Sequence, residues 1–193
     1  MLYADIGCTF HPKYREKLLD MISLVNQNEI MGFMMSYPEY QYTKADVFKH
    51  FDVLENKSIT DTGQVAGGLI YMKKTPLSLE VINKWLDVFY NHFHLVDDSQ
   101  SVVPNHKDFI ENRHDQSVWS VLNKIYSLKN FDYHSHINES SPIFASRSKI
   151  FIQNMQSQPI DKVLLFCSRF FPNRAGRRRI REVFRIFNMP NDS

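Results

Sequence analysis

The 193-residue chain has little cysteine, no long apolar run and almost no net charge. Cys8 and Cys167 are its two cysteines; they stand far apart and form no CxxC spacing. Neither a disulfide framework nor a zinc site is suggested, and a reducing, cytoplasmic compartment is the expectation. No apolar stretch approaches the roughly 20 residues that a spanning helix needs, and the start shows no charged segment leading into an apolar one. The expectation is therefore a protein neither integral to a membrane nor secreted by a visible signal. A formal net charge of +2 is too small to argue for a polyanion across the whole surface, so nucleic acid is not expected as a partner. Repeats and low-complexity segments are also lacking.

What is present is apolar material for one sizeable core and not for two: 43% of residues are hydrophobic and 13% aromatic. Charge is spread unevenly, with seven arginines between Arg169 and Arg185. The sequence changes character beyond Pro159, and we divide it into an α/β domain over 1–150 and a basic helical tail over 151–193. In the tail, Ile180, Val183, Phe184 and Phe187 recur at helical spacing among arginines. That suits peripheral contact with an anionic membrane surface through 174–187, a partner-docking helix, or a capping helix with a solvated face.

Within 1–150, strand and helix signals alternate from Leu2 to about Tyr126, which predicts an α/β architecture with a largely parallel or mixed sheet flanked by helices. "LYAD" reads as a strand. Leu18, Leu19, Ile22 and Val25 fall at helical spacing, and "IMGFMMSY" reads as a buried strand. "TKADVFKHF" predicts a short helix with Thr43 as N-cap and Asp46 at the reciprocal position of a capping box. "QVAGGLIYMKK" predicts a strand that another backbone or a ligand approaches closely. In "TPLSLEVINKWLDVFYNHF", Thr75 caps, Pro76 suits the first turn, and Ile82, Trp85, Leu86, Phe89 and Phe93 share a face. Loop is expected through "HLVDDSQSVVPNHKDFIENR", and then a helix carrying Val118, Val121, Leu122 and Ile125 on one stripe.

Several residues have both a chemical and a plain structural reading. Asp5, a lone carboxylate ahead of Gly7, is a turn residue or a ligand delivered by a strand end. Gly67 and Gly68 serve tight strand packing or leave room for a bound group. His114 and Asp115 are a cap and a favourable first-turn acid, or, with Arg113 and Gln116, hydrogen-bonding groups turned to one cleft. His134 and His136 alternate as on a strand, as two exposed polar residues or as a pair pointing the same way. Lys44 is a phosphate contact or a solvated first-turn lysine.

The order "LYADIGC", "YTKADVF", "QVAGGLIYMKKT", "WL" in a helix and "NRHDQSVWSVL" resembles a group of bacterial and viral glycosyltransferase-like proteins with the GT-A fold, over Leu2 to about Tyr126. "RHDQSVWSVL" is the most specific piece, similar to the "DQ" helix of glycogenin-like transferases. "QVAGGLIYMKK" looks like their "FNAG" strand and "YADIG" like their DxD strand, with Gly7 where the second carboxylate would stand.

The resemblance implies transfer of a sugar from a nucleotide-sugar donor to a glycan or lipid-linked acceptor, with a divalent cation, Mn²⁺ or Mg²⁺, on the diphosphate. Carried across, it makes Asp5 and His136 metal ligands. Lys44, Gln64, Gly67 and Gly68 become donor-binding residues, and His114, Asp115 and Gln116 catalytic. Asp115 would be a general base or a donor-sugar contact. The family carries a nucleotide-binding portion ahead of the DxD strand, so "LYADIGC" reads as an interior strand and such a portion is expected upstream or on another chain. Two rivals are a non-catalytic remnant serving as a carbohydrate-binding or interaction domain, and a metal-dependent hydrolase using Asp5, His114 and Asp115.

Overall fold

A computed structural model of the chain describes residues 1–145. The basic tail with its 174–187 stretch, and the domain boundary placed at 150, lie outside the described residues.

Strand β3 (Ile30–Pro38) is the spine of the molecule. Ile30, Met31, Gly32 and Phe33 are all buried, because helices cover both faces of the sheet and leave no polar side to alternate with. Along one edge of β3 run β4 (Gly63–Val65) and β5 (Leu69–Met72), both antiparallel to it, with Met34 opposite Val65 and Met31 opposite Tyr71. They form one lane interrupted at 66–68. Strand β1 (Leu2–Ala4) continues the sheet beyond β5, again antiparallel. On the other edge of β3 lies β6 (Lys129–Asp132), parallel, with Gly32 opposite Asn130. The fold is thus mixed α/β, and its sheet is antiparallel at every pairing but β3–β6. A largely parallel sheet is not what these segments build. Strand β1 runs with β3, the β4–β5 lane runs against both, and the long excursion through the helices returns β6 in the direction of β3. A small separate sheet pairs β2 (Cys8–Phe10) with β7 (Ile143–Ala145).

Helix α1 (Arg15–Asn28) covers one face, where Val25 meets Met31, Phe33, Leu69 and Tyr71. The opposite face is covered by α5 (Pro76–Asn91) and α6 (Asp115–Ile125), whose Val81 and Trp119 pack on Ile30, Val65 and Ile70. A second layer of core joins α6 to α3 (Ala45–His50) through Val47, Phe48, Val118, Val121 and Leu122.

Helix α5 starts as its sequence demands. Thr75 accepts from the Ser78 amide, Ser78 returns the bond to the Thr75 amide, and Pro76 occupies the first turn. Of the expected face, Ile82, Trp85 and Phe89 are partly buried against the cores and Leu86 is 46% exposed; Val81 and Val88 are fully buried beside them, and Phe93, 59% exposed, lies beyond the end of α5.

Three local expectations fail. Lys44, not Thr43, holds the cap position of α3; the Thr43 hydroxyl donates to buried Glu39 instead. Asp46 forms no capping box, because its carboxylate accepts from the amides of Val102 and Val103 in the long loop. His134 and His136 lie on the short helix α7 (Tyr133–His136) and not on a strand, since Asp132 ends β6 and caps that turn by accepting from the Ser135 amide.

Candidate functional site

The interruption of the β4–β5 lane faces the start of α6. The chain leaves the ladder at Ala66, whose amide still donates to Phe33 O, and resumes at Leu69. Gly67 is glycine for reasons of space. A Cβ there would lie 3.0 Å from Gln116 Cβ and 3.1 Å from Gln116 Cα, so the first turn of α6 sits directly on the backbone. Gln116 completes the joint by accepting from Gly67 N at 3.2 Å and donating through Nε2 to Gln64 Oε1 at 2.7 Å. Beside it, Gly68 O accepts from the Asp5 amide at 2.9 Å. A Cβ on Gly68 would meet Asp5 Cβ at 3.7 Å, ordinary contact.

Asp5, Gly68, Gly67 and Gln116 therefore form one continuous row. Two exposed carboxylates, Asp5 and Asp115, belong to it. Both act on the phenol of Tyr3, whose pKa is raised first by partial burial and then by Asp5, Asp115 and Cys8. The Asp115 backbone is fixed from behind, because Trp85 Nε1 on α5 donates to Asp115 O at 3.2 Å. His114 precedes it with φ of 52°, a conformation costing a non-glycine residue of order 1–3 kcal/mol. Its ring lies 2.7 Å from Asp98 Oδ1 in the loop opposite, so it is no side-chain cap of α6.

Beneath the row is a buried polar network. Gln64 has no exposed surface, and its amide nitrogen donates to Glu39 Oε1, Tyr42 O and Thr43 Oγ1. Glu39, equally buried, also takes a bond from the Ser120 hydroxyl and an ion pair from Lys124 Nζ at 2.5 Å. Burial lowers the Lys124 pKa, opposed by the Glu39 carboxylate. Ser120 in turn accepts from Val65 N at 2.7 Å. The network ties α2 (Glu39–Tyr42), β4 and α6 into one unit and sets the angle at which Gln116 meets the glycines.

Of the residues that the sequence assigns to one site, Asp5, Gly67, Gly68, Asp115 and Gln116 are neighbours, while the His114 ring turns away to Asp98. Gln64 belongs to it by position but is buried, so it holds Gln116 and does not line the surface. Gly67 is buried too, and of the glycine pair only Gly68 opens to solvent. Lys44 is elsewhere. Its side chain is 4% exposed and its ammonium donates to His94 O, Asp97 Oδ1 and Ser99 Oγ, so it braces a turn and presents no free charge to a phosphate. His136 packs against Phe33 and Phe131, with Nδ1 3.0 Å from Asp132 O. Glu39, Lys124 and Ser120 went unnoticed at the sequence level. An isolated glutamate in "YPEYQY" carries no signal of burial until α6 supplies its partners.

Among the described residues, no group of three histidine, cysteine or acidic side chains is placed to hold a metal ion. Asp5 is one exposed carboxylate beside open backbone, which suits a hard cation that takes one or two protein carboxylates and completes its shell from phosphate oxygens and water. Among the same residues no helix is long and apolar enough to cross a membrane.

Comparison of the chain with protein-family models, with curated proteins and with solved structures finds no match in any of the three.

Proposed function

We propose that this chain is a glycosyltransferase domain of GT-A-like fold, moving a sugar from a nucleoside-diphosphate donor to a glycan or lipid-linked acceptor. The observation that carries the reading is the joint between Gln116 and the Gly67–Gly68 break, which puts the exposed carboxylates of Asp5 and Asp115 in one row. In this reading the donor lies along the break, where Gly68 leaves backbone open. Asp5 would hold the divalent cation with the diphosphate, and the cation would supply charge neutralisation as the sugar departs. Asp115 acts at the other end of the row, taking the proton of the acceptor hydroxyl as general base. Its geometry is set before any ligand arrives, by Trp85 on its carbonyl and by the Gln64–Gln116 tie on the next residue. His136 has no part in this reading, since α7 follows β6 on the other side of β3 from β1 and its ring packs on Phe33 and Phe131.

The test is calorimetric titration of the purified chain with UDP and GDP, with and without Mn²⁺, followed by donor turnover. Metal-dependent nucleotide binding that Asp5→Ala weakens tenfold or more, and turnover that Asp115→Asn abolishes with the fold intact, are the expected results. A folded chain that binds neither nucleotide would favour the carbohydrate-binding or interaction domain instead.

A further inference from the structure

Arg113 lies in the same sequence run as His114, Asp115 and Gln116, yet its side chain has a separate setting. Its guanidinium carbon stands 3.8 Å from the centroid of Tyr42 and 5.0 Å from that of Tyr37. The two rings meet edge-on with centroids 5.5 Å apart. The backbone beneath is pinned, since Arg113 N donates to Tyr42 O at 3.0 Å and to Ser117 Oγ at 3.1 Å. The side chain is 15% exposed.

A guanidinium has five N–H donors in a planar fork, and these are largely unspent. Nη1 reaches Gln64 Oε1 only at 3.4 Å, an oxygen that already receives Gln116 Nε2 at 2.7 Å. Nε is buried without a hydrogen bond and is held in an ion pair with Glu111 Oε1 at 3.7 Å, a carboxylate whose side chain is 57% exposed. That exposed partner and the tyrosine rings offset only part of the cost of withdrawing the cation from water. What remains unsatisfied matches a carboxylate or phosphate, which the fork takes in bidentate fashion. Tyr37, 44% exposed, adds a ring face on which the C–H side of a sugar can lie.

The setting is joined to the glycine break through two glutamines: Arg113 Nη1 reaches Gln64 Oε1, and the Gln116 amide spans from that oxygen to Gly67 N.

We propose that Arg113, stacked on Tyr42 and flanked by Tyr37, is a binding subsite for an anionic group, carboxylate or phosphate, carried by the acceptor sugar. The word acceptor rests on the transferase reading; the anion subsite does not.

The test is titration of the full chain with glucuronate, inorganic phosphate and glucose, with UDP and Mn²⁺ measured alongside. Glucuronate and phosphate are expected to bind at least tenfold more tightly than glucose. Arg113→Gln should lose tenfold or more for both anions, and Arg113→Lys should fall between. Tyr37→Ala, on an exposed ring, should weaken glucuronate and leave phosphate unchanged; an unchanged glucuronate affinity there overturns the proposal even if the arginine variants do not fold. Undiminished anion binding in folded Arg113→Gln, or no anion binding by the native chain, overturns it as well. If Arg113→Gln lowers UDP affinity as much as Asp5→Ala does, the anion is the donor's diphosphate and the acceptor assignment is lost. Anion binding that follows Arg113 in a chain that ignores UDP supports the subsite and refutes the transferase reading.

Discussion

Replacing Lys124 by methionine probes the network on which the proposed site is seated. Lys124 Nζ donates to Glu39 Oε2 at 2.5 Å and to Ile59 O at 3.1 Å, and its side chain is 6% exposed against 0% for Glu39. The variant keeps the length and apolar stem of lysine but leaves a buried carboxylate without its counter-charge. Hydroxyls of Thr43 and Ser120 and the Gln64 amide still donate to Glu39, so the carboxylate stays solvated by the protein in part. Breaking one side of a buried pair costs about 3–5 kcal/mol. At about 2–4 °C per kcal/mol for a chain of this size, the midpoint should fall by on the order of 10 °C. Urea denaturation followed by the fluorescence of buried Trp119 measures the loss directly. The control is the double variant Glu39→Gln with Lys124→Met, which removes both charges, keeps an acceptor for Thr43, Ser120 and Gln64, and should recover at least about 2 kcal/mol of the loss. A single variant that loses under about 1 kcal/mol, or a double variant no more stable than the single, would refute the view that these two charges depend on each other in the core.

Gly67→Ala should cost about 1–3 kcal/mol by overpacking and should weaken nucleotide binding further, because the new methyl at 3.0 Å from Gln116 Cβ pushes α6 off the break; unchanged stability and binding would contradict the joint. Asp46→Ala strands the amides of Val102 and Val103 and should cost about 1–3 kcal/mol, seen as faster hydrogen exchange at those two residues. The His50 pKa is lowered from 6.5 by partial burial, then by His92 and His94, with Asp87 opposing. The unfolded chain then binds more protons than the folded one just below pH 6.5, so stability should fall as pH drops through that value toward the folded pKa. His50→Gln should flatten this slope in thermal melts at pH 5 to 7, and an unchanged slope would remove His50 from the account.

The elements that local chemistry specifies were legible. Thr75–Pro76–Ser78 determines where α5 begins, and the unbroken apolar run of β3 signals a strand covered on both faces. The glycine pair in "QVAGGLIYM" marks a close approach, and Gly67 proves to be where α6 lands. Elements whose residues serve distant partners were not legible. Thr43 and Asp46 have the spacing of a capping box, but Asp46 reaches more than fifty residues ahead to a loop, and Thr43 turns back to Glu39, whose own partners Ser120 and Lys124 come from α6. Lys44 looks like a surface lysine in sequence and is buried because His94, Asp97 and Ser99 surround its ammonium. Asp97, 35% exposed, is held down to about 2 chiefly by the Ser99 hydroxyl and amide, with Lys44 adding to them.

The sequence by itself determined the α/β class, the start of the principal helices and the set of residues from which a site could be made, because caps, periodicity and glycine act over a few residues. Tertiary structure alone decided that the sheet is antiparallel except at β6, that Gln64 is a buried brace, and that Arg113 lies on two tyrosines. Each of these depends on segments far apart in the chain, and their meeting is set by which surfaces can be buried together while most buried polar groups find partners.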